Sequence, residues 1–121
     1  MDADDFVAFS RREEVALPAG GAPQDALRGF LTAYAAALRV GGCSMVGHIK
    51  GMLEDGESPP LFFSLTSLEG EPRLKCGSLK PRPRLALSIN VIVAGIAAGE
   101  AAALLQASLA RHFRSSRAER G

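Results

Sequence analysis

From Pro23 onward the apolar positions are Leu27, Phe30, Leu31, Tyr34 and Leu38. That spacing puts all five on one face of a helix, with Arg28, Thr32 and Arg39 on the other. Pro23 suits the first helical position, where a missing N–H is no loss. Gly41-Gly42 supplies a left-handed end. A second helix is predicted from about Gly99 to Phe113, where Ala101, Leu104, Leu105, Leu109, His112 and Phe113 keep helical spacing. Glu100 at its start and Arg111, His112 and Arg114 at its end suit the helix dipole.

Between the helices the period changes to two. Extended runs are predicted at Cys43 to Leu53, Leu61 to Leu68, Arg73 to Leu79 and Arg84 to Val93. A polar loop from Glu54 to Pro60, a turn at Glu69-Gly70-Glu71-Pro72 and a break at Lys80-Pro81-Arg82-Pro83 separate them. Connections this short favour an antiparallel meander over parallel pairing, which needs a longer crossover. The fold class is therefore α+β, a two-layer sandwich of order α-β-β-β-β-α. A four-stranded antiparallel meander carries both helices on one face. Residues 1–21 read as a flexible or docked arm, 22–114 as a single α+β domain and 115–121 as a polar tail. In the arm, Phe6, Val7 and Phe9 could add a short strand or pack as an arm, and Val15-Ala16-Leu17 is a second short apolar run.

Leu85 to Ala110 is long enough to span a bilayer and carries one charge, Glu100. Asn90, Glu100 and Gln106 make a span costly, and Gly95 and Gly99 punctuate the middle, so a strand, a turn and a helix are expected.

Strand parity sorts side chains onto two faces. Cys43, Met45, Ile49 and Leu53, then Leu61, Phe63 and Leu65, then Leu85, Leu87, Ile89, Val91 and Val93 form the greasy face that should carry the helices. The other face gathers Ser44, His48, Lys50, Ser64, Thr66, Ser88 and Asn90, with Val46, Met52, Phe62 and Ile92 among them. A bulge anywhere would break this register.

That polar face is where chemistry has room to sit. His48, Lys50, Ser64, Thr66, Ser88 and Asn90 are the candidate ligand-binding residues. His48 supplies a titratable imidazole and Lys50 the one charge expected there, so the ligand would be small and polar or anionic. No carboxylate is expected nearby to orient the imidazole, and catalytic residues are left unassigned. The same face can instead meet water, or a second copy across a two-fold axis.

The chain has 121 residues, 14 basic and 13 acidic, with a formal charge of +1. That balance gives no global pull toward nucleic acid. Locally, Arg73, Lys75, Lys80, Arg82 and Arg84 cluster around one turn and form a weak nucleic-acid candidate. Nucleic acid is disfavoured, because only Phe62 offers a stacking ring where RNA-binding sheets use two or three. Cys43 and Cys76 have no CxxC spacing and read as reduced thiols. Signatures for phosphate loops, dinucleotides, hydrolases and zinc are missing, so no metal and no cofactor is assigned. The acidic start, MDADDFVAFSRREE, does not read as an export signal, and a cytoplasmic location without membrane attachment is the expectation.

The expected function is an oligomeric binding or accessory module, a homodimer, for a small polar or anionic ligand or a protein partner. An enzyme using His48 and Lys50 on a small polar substrate is the alternative. A nucleic-acid accessory protein acting through the Arg73 to Arg84 turn comes third.

Overall fold

A computed structural model describes residues 5–75 and 79–115. The elements in chain order are β1 (Phe6–Ala16), α1 (Pro23–Val40), β2 (Met45–Glu54), β3 (Leu61–Leu65), β4 (Arg73–Lys75), β5 (Leu85–Ala94), α2 (Ala98–His112) and β6 (Arg114–Ser115). The strands form one antiparallel sheet of order β4-β3-β2-β5-β1-β6. The α+β class holds.

The four-stranded meander does not. β2, β3 and β4 follow one another, but β5 returns to the far side of β2, a Greek-key step. Pro81 and Pro83, which precede β5, have no N–H to give to a ladder. Arg82, between those prolines, is tied to the β2–β3 loop by ion pairs with Asp55 and Glu57. β5 then delivers five apolar side chains to the middle of the sheet, where both edges of the strand are paired.

The arm supplies the strand that the sequence left open. β1 pairs with β5 from Phe6↔Ala94 to Val15↔Leu85. Its charged stretch, Ser-Arg-Arg-Glu-Glu, hides the alternation of Val7, Phe9 and Val15 that marks the core side. β1–α1–β2 and β5–α2–β6 are each a split β-α-β unit, with β5 inserted in the first and β1 in the second. Of the third extended run, the described strand is Arg73–Lys75, and residues 76–78, Cys76 included, lie outside the described residues.

Both helices behave as their patterns require. Leu27, Phe30, Leu31, Tyr34 and Leu38 are fully buried. At the end of α1, Cys43 N–H donates to Leu38 O at 2.9 Å and Gly42 N–H to Arg39 O at 3.2 Å. This Schellman ending needs the left-handed φ of +102° that Gly42 adopts. The Leu85–Ala110 stretch resolves into β5, a turn at Gly95 (φ +88°) and α2. No helix among the described residues is long and apolar enough to cross a membrane. Tyr34 Oη donates to Ala101 O at 2.8 Å and joins the helices. Its desolvation pushes the phenol well above the ordinary range. The buried stripes of both helices share one core cluster with Ile49, Leu53, Leu61, Phe63, Leu65 and the odd-numbered residues of β5 from Leu85 to Val93.

One register assignment is corrected at the start of β2. A bulge lies between Val46 and His48. Val46 is buried and Met45 is 55% exposed, the reverse of strict alternation across the whole strand. Gly47 permits the bulge: a Cβ there would sit 2.9 Å from Ile92 Cγ2 and 3.2 Å from Ile92 O. Beyond it the expected parity is restored.

Candidate anion site on the polar sheet face

Directly opposed residues in an antiparallel ladder share a face, so the register reads out rows of neighbouring side chains. One row runs Arg73, Ser64, Lys50, Asn90, Ser10 across β4, β3, β2, β5 and β1. The next runs Lys75, Phe62, Met52, Ser88, Arg12. The β4, β3, β2 and β5 members of both rows line a trough of about 830 Å³, and Gly51 lies between the rows.

The rows divide into a satisfied side and an unsatisfied side. Toward β1, Arg12 Nη1 donates to Ser88 Oγ at 2.7 Å, and Ser10 Oγ donates to Asn90 Oδ1. Arg12 also faces Glu54 at 3.5 Å. Toward β4, the side chains of Lys50, Arg73 and Lys75 have no ion pair or hydrogen bond among the described residues, and all three residues are exposed. Among the described residues no carboxylate lines the trough. Three unpaired cations around one hollow make a positive potential that an anion would relieve.

The sequence candidates redistribute accordingly. Lys50, Ser64, Ser88 and Asn90 meet in the trough. His48 shares their face, opposite Ile92, but lies one row beyond the lining and is half-buried. Its ring makes no hydrogen bond among the described residues. Thr66 falls just past the end of β3, in an exposed loop, so the ladder does not hold it in a row.

The basic turn splits in two. Arg73 and Lys75 join the trough through β4. Arg82 and Arg84 do not: Arg82 lies 3.5 Å from Asp55 and 3.0 Å from Glu57, and Arg84 lies 3.9 Å from Glu14. Lys80 is exposed and outside the lining. A continuous five-residue patch is therefore not formed. A fold-back of β4 onto β3 brings Arg73 and Lys75 beside Lys50, which sequence distance concealed. Ser10 and Arg12 were also missed. The period-two signal of Val7, Phe9 and Val15 would have placed them on the polar face.

At the sheet end near Glu54 a smaller hollow of about 300 Å³ mixes both charges, and its ion pairs close it electrostatically. There Asp55 Oδ1 accepts the backbone N–H groups of Glu57 (2.8 Å) and Ser58 (2.7 Å). Those bonds, with Arg82 adding its charge, hold the Asp55 carboxyl at about 2. Among the described residues no cluster of His, Cys, Asp and Glu is arranged to hold a metal ion. Cys43 is buried and free.

No family model matches the sequence, and no curated protein or solved structure is significantly similar to it.

Proposed function

We propose that this chain is a binding module whose trough over β4, β3, β2 and β5 takes an anionic ligand. The observation that carries the reading is the meeting of Lys50, Arg73 and Lys75 in a hollow that no carboxylate of the described residues lines. Ser64 and the amide of Asn90 add neutral hydrogen-bonding groups. Asn90 has two N–H donors left after its oxygen accepts from Ser10.

The reading takes both helices to lie on the core side of the sheet, which leaves the trough accessible. Two split β-α-β units that run in opposite directions place their helices on the same side when both crossovers are right-handed. The shared core of α1 and α2 supports this arrangement.

The test is calorimetric titration with inorganic pyrophosphate at low and moderate salt. Saturable binding should weaken as salt rises, because ionic contacts to exposed cations are screened. Lys50→Ala and Arg73→Ala should each weaken it several-fold while circular dichroism stays that of the wild type. Absence of saturable binding, or equal binding by both variants, would remove the reading.

Self-association is a second reading, favoured by a separate observation. Phe6 and Met45 are 51% and 55% exposed, and both register with Ala94 at the far end of the same face. A second copy meeting this end would cover apolar surface without burying the cations of the trough. Light scattering at micromolar concentration should give twice the chain mass, and Phe6→Glu should return it to one. The enzyme reading draws less support, because nothing among the described residues orients the His48 ring.

A further inference from the structure

Phe62 stands out within the trough. It is 49% exposed, although a phenylalanine on a strand paired along both edges more often buries its ring. Its register neighbours are Lys75 on β4 and Met52 on β2. Arg73 and Lys50 occupy the adjacent row, on either side of Ser64. An open aromatic surface therefore lies beside three cations that lack partners among the described residues.

From this juxtaposition we infer that the ligand of the trough is a nucleotide unit, with its base on the Phe62 ring and its phosphate among Lys50, Arg73 and Lys75. The inference rests on the anion-binding reading and narrows its ligand. A simple inorganic anion would use the cations and leave the ring in water. A hydrocarbon ligand would use Phe62 and Met52 and leave the cations unsatisfied. A phosphate joined to a flat aromatic ring uses both, and any base can stack because every base has a π-face. The amide of Asn90 and the hydroxyl of Ser64 supply polar groups for base or sugar edges.

The spacing is suitable. Arg73 and Lys75 are two residues apart on one strand, hence ~7 Å apart along it. That separation lets one cation meet a phosphate while the next meets its neighbour, as in a diphosphate or along an extended single strand. With one exposed ring in the trough, one base is held per site. The same chemistry can come from a free nucleotide or from one residue of a single-stranded nucleic acid.

Binding should be measured for three probes: inorganic pyrophosphate, ADP and a short oligothymidylate. The proteins are the wild type, Phe62→Ala and Phe62→Trp. The expected result is that ADP or the oligothymidylate binds the wild type more tightly than pyrophosphate does. Phe62→Ala should weaken that binding roughly 5- to 100-fold, the range for loss of one stacked base. Pyrophosphate, which has no ring to stack, should lose much less affinity than the nucleotide does, and Phe62→Trp should retain the nucleotide affinity. Preference for ADP identifies a free nucleotide as the source, and preference for the oligothymidylate identifies a strand. Equal affinity for all three probes, or nucleotide binding indifferent to Phe62→Ala, overturns the inference while leaving the anion site standing. Failure of all three probes to bind removes both.

Discussion

Arg82 Nε lies 3.5 Å from Asp55 Oδ2, and the Asp55 side chain is only 2% exposed. Neither atom has a hydrogen-bond partner among the described residues, so the contact is a charge pair without a shared proton. Its place in the chain gives it weight. Arg82 belongs to the connection that carries β4 back across the sheet to β5, and Asp55 begins the loop between β2 and β3. The pair therefore ties the returning connection to the end of the hairpin it passes.

This latch predicts an acid response. The Asp55 carboxyl is lowered from an ordinary 3.8 to about 2, first by the N–H groups of Ser58 and Glu57 and further by Arg82. A carboxyl lowered on folding contributes stability that is complete above its unfolded value and is lost as pH falls through the folded one. Urea unfolding should show stability falling between about pH 4 and pH 2. Asp55→Asn should be less stable than wild type at pH 7, with a smaller fall across that window. Parallel pH curves for the two proteins would contradict this account.

Gly51 and Gly99 should respond to alanine in opposite senses. A Cβ on Gly51 would lie 1.9 Å from Ser88 O, a backbone atom of the paired strand. β2 or β5 would have to move, so Gly51→Ala should lose ~1–3 kcal/mol or more, as for an overpacked core. A Cβ on Gly99 would meet nothing within 4 Å, and the residue is in α2. Gly99→Ala should gain up to ~1 kcal/mol from helix propensity. Thermal melts of both variants decide the matter.

The packing of α1 predicts two graded losses. Leu31 is fully buried in the core, and Leu31→Ala should cost ~2–5 kcal/mol as a cavity substitution. Tyr34→Phe keeps the ring against Phe30 and removes only the hydroxyl bonded to Ala101 O. Its cost should be ~0.5–1.5 kcal/mol, the net value of one hydrogen bond. Chemical denaturation that ranked Tyr34→Phe as the more damaging change would contradict the packing described.

Gly29 offers a check on the approach of the two helices. A Cβ there would lie 2.9 Å from His112 Nδ1. Gly29→Ala should displace the imidazole and shift its NMR resonances. A larger residue, as in Gly29→Leu, should lower the melting temperature by separating the end of α2 from α1.

Local signals along the chain specified much of this protein. The five-residue stripe from Leu27 to Leu38, the Gly41-Gly42 ending and the alternation from Leu85 to Val93 are short-range patterns. Periodicity and backbone sterics act on them directly, and the elements form where those patterns stand. The same alternation placed Lys50, Ser64, Ser88 and Asn90 on one face, because a strand has only two faces. Tertiary structure decided which strands lie side by side. Strand order depends on contacts between segments far apart in the chain, which no local period encodes. Thus β5 left β4 for β2, and the charged arm became β1 beside β5. The fold-back of β4 set Arg73 and Lys75 against Lys50, while long-range pairing with Asp55, Glu57 and Glu14 withdrew Arg82 and Arg84. The one-residue bulge at Gly47 reversed Met45 and Val46 because an added residue shifts register without changing composition. The polar character of the sheet face was thus written in the strands, and its charge was assembled by the way they pair.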